Sequence, residues 1–323
     1  MSDVDKEVGK LLCCSTRGDR RFAAGKRPVR SEPKRRKTMS RKCVFVVIAV
    51  LLMVAPASAQ LIFDTQAFPV VARGAGLAGT QWVTDLTVYN PTDAEVTVGL
   101  HFSPANQDSM FNPTFPTRIT LQAGETLMVE DVLLSTFGFD EDIKGSLTLI
   151  CDPMFLPGNQ EDAMILAVTR TYNTGGVEGT YGQTVPSLIS SVNVGWTSSF
   201  ITGARNDTAF RSNLGISGTS PMAAPRVYYR VTTADGAVAA EGSKQLRVAS
   251  MNQWSFASLG IGVVDGPLTV ELWLDPDDAS EDPCADDFPV GFLAYVSKID
   301  QMSGDAEYLT AAPLMPFLCM MEE

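Results

Sequence analysis

The chain is short of the residues that most catalytic and metal-binding chemistry requires. It has one histidine, His101, in 323 residues. A Ser-His-Asp triad or a His-based zinc site needs an imidazole held beside partners. His101 shares one side of an alternating stretch with Thr97, Gly99 and Ser103, which reads as a solvated strand residue. No GxSxG and no HExxH occurs. Cysteine is scarce, six in all, and only Cys151, Cys284 and Cys319 lie beyond residue 59. No apolar run reaches the roughly 20 residues of a spanning helix, and beyond residue 59 there is no long amphipathic helical pattern.

What is present begins with an address. Arg41 and Lys42 precede the apolar run Val44–Ala55, which is followed by Pro56 and Ala57-Ser-Ala59. A basic start, an apolar core of about a dozen residues and a small-x-small ending are the parts of a cleavable secretory signal. It starts at Met39, so residues 1–38 form a basic extension, either a long n-region or the product of an upstream start. Retention of the segment as a single-pass anchor is the alternative. Removal of residues 1–59 changes the charge. Of 25 Lys/Arg and 37 Asp/Glu, 14 and 5 fall in that stretch, leaving 11 and 32 and a net charge of −21. Such a surface repels phosphate backbones, so nucleic acid is excluded as a partner. With the signal cleaved, no membrane contact is expected.

The remaining chain repeats at roughly 127 residues. Ala72-Arg73 leading into Trp82–Tyr89 matches Ala204-Arg205 leading into Phe210–Ser217. Gly145–Leu149 matches Gly266–Val270, Ala167–Asn173 matches Ala294–Asp300, and Tyr181 and Pro186 match Tyr308 and Pro313. Anchors kept in one order indicate duplication. The copies cover residues 60–190 and 200–323. Within each, apolar and polar residues alternate with period two, as in Val96–Ser103 and Leu268–Leu274. Turn-formers such as Asn90-Pro91 and Asp235-Gly236 punctuate the runs. About seven short strands per copy predict an all-β chain of two tandem antiparallel Ig-like β-sandwiches. Single helical turns are expected near Asp131–Phe137 and Ser258–Ile261.

Three segments carry a resemblance. Val88–Val98, Gly203–Gly215 and Arg170–Asn173 with Gly179–Gln183 look like an Ig-like β-sandwich module of secreted bacterial proteins, often found in tandem. The resemblance covers nearly all of residues 66–314. It implies a non-catalytic surface or secreted role and carries over no binding residues. The second copy departs from it at Lys298-Ile-Asp300, where the first has Thr171-Tyr-Asn173.

Several local features need weighing. Gly74-Ala-Gly-Leu-Ala-Gly79 is a literal GxGxxG, but a strand pattern follows it where a dinucleotide site needs a helix. It reads as a glycine-rich loop, with no cofactor. The segment Leu274–Asp287 gathers Asp275, Asp277, Asp278, Glu281 and Asp282, with Asp286 and Asp287. Clustered carboxylates can supply oxygen ligands for a weak external calcium site, although the DxDxDG spacing is missing and a solvated acidic loop fits the same residues. Three cysteines in an oxidising compartment suggest one disulfide and a free thiol. A Cys284–Cys319 bridge stays within the second copy, and three unpaired thiols remain the alternative. Arg73 and Arg205, and Arg170 and Lys298, stand at matching positions and are expected to pair with strand-end carboxylates. Trp273 points away from the Leu268–Leu274 stripe and could stack on a sugar ring.

The reading is therefore a secreted or periplasmic, non-catalytic structural or interaction module. A carbohydrate- or surface-binding adhesin-like protein is the second reading, with a glycan, cell-surface or protein partner. A carboxylate-pair hydrolase is the third. N-terminal sequencing of the exported protein should return a chain that begins at Gln60. A start far from it would remove the basis of the charge and cysteine arguments together.

Overall fold

The computed structural model describes residues 62–76, 79–109, 115–175, 181–188, 192–193, 197–220, 222–279 and 290–314. The basic extension and the signal segment lie outside the described residues, as do Trp196, Glu281, Asp282, Cys284 and Cys319. Residues 58–323 form one compact unit. Among the described residues no helix is long and apolar enough to cross a membrane.

The first half contains β1 (Thr65–Ala75), β2 (Gln81–Tyr89), β3 (Val96–Pro104), β4 (Thr117–Leu121), β5 (Thr126–Val129), the helical turn α1 (Val132–Ser135), β6 (Ile143–Ile150), β7 (Leu166–Asn173) and β8 (Gly182–Pro186). One layer runs β4-β3-β6-β1 and the other β5-β2-β7-β8, all antiparallel. Strand β1 joins the layers at a corner. It pairs with β6 from Thr65 to Arg73, is irregular between Phe68 and Val71, and ends with Gly74 and Ala75 against Trp82 and Gln81 of β2. A bulge of this kind re-aims a strand and sharpens its twist. Alternation then does the rest. Phe68, Val98, Leu100, Leu147 and Leu149 from one layer meet Leu86, Val88, Ala167 and Val185 from the other in a buried core.

The second half contains β9 (Ser199–Asn206), β10 (Phe210–Gly218), β11 (Arg226–Thr232), β12 (Val238–Gln245), β13 (Met251–Ser255), a 3-10 turn (Ala257–Leu259), β14 (Val264–Leu274), β15 (Phe292–Asp300), β16 (Ala306–Thr310) and β17 (Ala312–Pro313). Its layers run β12-β11-β14-β9-β17 and β13-β10-β15-β16. Leaving out the two-residue β17, the strand order of the second half is that of the first, element for element. Among the described residues each half thus shows eight strands in this shared order, against an expectation of about seven. The added ones are short or polar strands that burial periodicity does not mark. The expected helical turns are α1 and the 3-10 turn, each between the fifth and sixth strand of its half.

The halves are joined through a sheet face. In β15 the residues Phe292, Ala294 and Val296 enter the second core, while Tyr295, on the opposite side, belongs to the core of the first half with Met251. Both faces of β15 are therefore buried. Main-chain bonds stitch one margin: Asn106 N–H donates to Met251 O at 3.0 Å and Ser109 N–H to Val248 O at 3.0 Å. The Ser250 hydroxyl donates to Pro104 O at 2.9 Å, and Lys144 Nζ to Gln253 Oε1 at 3.1 Å. Ser297 Oγ reaches Gln183 Oε1 at 3.3 Å on the β8 side.

Tyr295 fits because its cross-strand partner is Gly215. A Cβ there would lie 2.1 Å from the Tyr295 ring. The ring has nowhere to go. It stacks on Tyr308 with centroids 5.0 Å apart, and its hydroxyl accepts from Gln253 Nε2 at 3.3 Å. Gly215→Ala should therefore cost about 2–3 kcal/mol by overpacking, lowering Tm by roughly 5–10 °C for a domain of this size. A thermal melt that did not move would show that the ring is not fixed.

Candidate functional site

A strand exposes every second side chain, and register decides which of them become neighbours across a sheet. In β11, Val227, Tyr229 and Val231 are buried, and the half-exposed Tyr228, Arg230 and Thr232 stand between them. In β14, Leu268, Val270, Leu272 and Leu274 are buried, with Thr269, Glu271 and Trp273 half-exposed. The register sets Tyr228 opposite Trp273 and Arg230 opposite Glu271. On the far side of β11, Arg230 is opposite Glu241 of β12; on the far side of β14, Glu271 is opposite Phe200 of β9.

These residues form a compact aromatic and ionic group on the outer face of the five-stranded sheet. The Tyr228 and Trp273 rings are nearly parallel, 10° apart in plane, with centroids separated by 5.8 Å. The Arg230 guanidinium carbon lies 5.6 Å from the Trp273 ring centre. Its nitrogens are 3.6 Å from Glu241 Oε2 and 3.6 Å from Glu271 Oε2. Those separations are ionic contacts and too long for good hydrogen bonds, so the guanidinium donors and carboxylate lone pairs are not consumed by each other. Glu271 is further fixed by the Ser198 hydroxyl, 2.8 Å from Oε1.

The acidic segment adjoins this group. Asp275 Oδ2 accepts from the Tyr228 hydroxyl at 3.1 Å, and Asp275 Oδ1 from the N–H of Asp277 at 3.2 Å. Asp278 Oδ2 accepts from the N–H of Arg226 at 2.6 Å. The described carboxylates thus dock a turn onto β11. Among the described residues no group of three or more His, Cys, Asp or Glu is gathered to hold a metal. Of the five residues considered for calcium, Asp275, Asp277 and Asp278 lie on this turn, and Glu281 and Asp282 are outside the described residues.

The matching face of the first half is closed. Phe115 packs over Gly99, where a Cβ would lie 2.5 Å from its ring, and clusters with Ile150, Leu156 and Phe155. Phe115 belongs to the connection between β3 and β4; the counterpart joining β11 to β12 is the tight connection 233–237. His101, on the same face, lies 3.5 Å from the Ser109 hydroxyl, and burial lowers its pKa. It is more covered than a solvated strand residue.

The other marked residues serve the scaffold. The glycine-rich stretch is the β1–β2 hairpin, closed by Gly76 N–H donating to Thr80 O at 2.7 Å. Arg73 pairs with Asp131, a residue with left-handed backbone whose N–H donates to Asp85 Oδ1 at 2.9 Å. Arg205 pairs with Asp207 at 2.7 Å. Burial pushes Asp207 up, but the N–H groups of Ala209 and Phe210 and the Arg205 side chain outweigh it, and its carboxyl lies below the usual range. Lys298 pairs with Glu307 at 2.5 Å. Cys151 is fully buried and donates to the carbonyls of Asp64 and Ala163. Burial pushes its thiol up to about 12, which removes it as a nucleophile. The partners considered for a disulfide, Cys284 and Cys319, are outside the described residues.

Of this face, the sequence marks only Trp273 and the carboxylates beside it. Tyr228, Arg230, Glu241 and Phe200 escape notice, although Arg226-x-Tyr228-x-Arg230 has the same alternation that singles out Trp273. Comparison with models of protein families, with curated proteins and with solved structures finds no match.

The hydrogen bond to Asp275 raises the Tyr228 phenol above the ordinary tyrosine range. Asp275→Asn should bring one phenolic titration back towards pH 10 in an ultraviolet pH titration. The sign follows from linkage: a raised tyrosine pKa stabilises the fold below the unfolded value and ceases to do so as pH rises through the folded one. An unchanged titration curve would mean that the turn is not docked through this bond.

Proposed function

We propose that the processed chain is an exported, non-catalytic structural or interaction module made of two Ig-like copies of one unit. The observation that carries the reading is the joint between two halves of equal strand order. The outer face of β13-β10-β15-β16 is spent on holding the halves together, giving a body suited to presenting a surface at fixed geometry. A two-domain enzyme with its site between domains generally needs a cleft or a hinge at that place; here the place is filled by Tyr295, Met251 and Tyr308.

The polar groups support the same reading. The Asn90 side chain donates to Ala94 O and Gln122 O and accepts from the Thr92 N–H. Asn159 donates to the carbonyls of Thr97 and Cys151 and accepts from the Thr97 N–H. Asn193 and Asp207 close turns in the second half in a comparable way. Each substitutes for backbone partners where a strand ends or a chain turns. The signal-like segment at residues 39–59 and the net charge of −21 that its removal would leave support an exported, soluble working chain.

Residues 60–323 incubated with chromogenic glycoside, ester, phosphoester and peptide substrates should give no turnover above buffer. Turnover abolished by Asp85→Asn or Asp131→Asn would replace the module reading with the carboxylate-pair hydrolase. That pair is the one to test, because Asp131 N–H and Asp85 Oδ1 are already in hydrogen-bond contact.

A further inference from the structure

Three of the four outer layer faces have an assigned cover or purpose. The face of β13-β10-β15-β16 is sealed against the first half, and that of β4-β3-β6-β1 lies under Phe115, Phe155 and Leu156. The face of β5-β2-β7-β8 carries the Asp85–Asp131–Arg73 network, with Tyr172 donating to Asp85 Oδ1 at 3.3 Å and Arg170 4.7 Å from the Tyr172 ring centre. The outer face of β12-β11-β14-β9 has no such cover among the described residues. Its parallel aromatic pair and its loosely held ion triad stay half-exposed, although aromatic area left in water is unfavourable.

The chemistry of that face narrows what it can receive. Two nearly parallel rings offer apolar π surface and edges to a flat, C–H-rich ligand. Arg230 adds several N–H donors within one side chain of those rings, and Glu241 and Glu271 add acceptors on either side of it. Donors and acceptors interleaved around an aromatic patch, with one arginine between two glutamates and a residual negative charge, match a ligand that has hydroxyls along its edge and no negative charge. A nucleic acid would also stack, but the net charge of the processed chain repels it, and the same repulsion acts on anionic polysaccharides. A protein partner would need a larger contiguous patch than one Tyr–Trp pair to reach a stable interface.

We infer that the face formed by Tyr228, Trp273, Arg230, Glu241 and Glu271 is a binding surface for a neutral glycan, whose pyranose ring stacks on the aromatic pair while its hydroxyls bridge Arg230 and the two glutamates. The inference rests on the reading of the chain as a non-catalytic interaction module and supplies its ligand class. Each glutamate accepts from a sugar hydroxyl and Arg230 donates to one, so the ionic triad opens onto the ligand without losing its charge balance.

Affinity electrophoresis of the processed chain through gels containing xyloglucan, β-1,3-glucan or galactomannan tests it, with polygalacturonate as the anionic counterpart. At least one neutral polysaccharide should retard the protein, and polygalacturonate should not. Trp273→Ala and Arg230→Gln should each weaken the retardation about tenfold or more with an unchanged Tm, whereas Trp82→Phe in the first half should leave it intact. Because Arg230→Gln keeps the stem and the fold, it separates lost binding from lost structure. Three results would overturn the inference: no retardation by any neutral polysaccharide, equal retardation by polygalacturonate, or retardation that survives both substitutions. Those failures leave the module reading standing, which only substrate turnover can remove.

Discussion

Tyr295 is the contact on which the rest depends. It lies on β15, whose other face already belongs to the second core, so its own face must be covered or the four-stranded layer would expose a wide apolar surface. Gly215 removes the one side chain that would keep the ring off the sheet, and Tyr308 closes over it. With the ring down, Tyr295 and Met251 of the same layer join the core of the first half, to which β1 contributes Phe68, Val70 and Val71. Main-chain bonds from Ala105–Ser109 can then reach Val248–Met251. A ring placed over its cross-strand glycine recurs at Tyr229 against Gly242. At Gly215 the device serves the joint between the halves as well as the sheet.

That joint makes two halves of equal strand order unequal in use. A β-sandwich has two outer faces, and two sandwiches have four. Joining them through one face leaves the remaining three to differ by their loops. The connection from β3 to β4 in the first half sets Phe115 on the β4-β3-β6-β1 face and, through Asn106 and Ser109, contributes bonds to the second half. One connection therefore both closes a face and secures the joint. Among the described residues the second half has no neighbour on that side, and its β11–β12 connection shrinks to a turn in which Thr233 and Asp235 bond each other and Ala237. The aromatic face stays open among the described residues because that connection is too short to cross it.

Where burial is one-sided, the fold could be read from residue order alone. The Leu268–Leu274 alternation and the Asn90-Pro91 turn fall where the structure has them. Strand β12, Val-Ala-Ala-Glu-Gly-Ser-Lys-Gln, could not be read this way. It is an edge strand with little buried area, defined by its pairing with β11 and by the Tyr229 ring against Gly242. His101 reads as solvated for a related reason: Ser109, 3.5 Å from its ring, lies beyond the end of β3 in a connection that strand periodicity does not describe. At the candidate site, Trp273 was legible from its strand, but Tyr228 and Arg230 gain meaning only from the β11–β14 register. Register is a long-range property that no local pattern encodes.

The acidic segment after β14 ties these levels together. As a string of carboxylates it suggests a cation site, since acidic side chains in water repel and a metal would relieve that. The structure offers two of them a cheaper partner. Asp275 and Asp278 accept from the Tyr228 hydroxyl and the Arg226 N–H, donors already fixed by β11. Such bonds leave no ordering cost for a long side chain, because aspartate has one flexible carbon and the donors do not move. The result is a docked turn that steadies Tyr228 from one end while Trp273 steadies it from the side. The carboxylates that give the chain its acidic surface thus also hold rigid the aromatic pair that its second half leaves uncovered among the described residues.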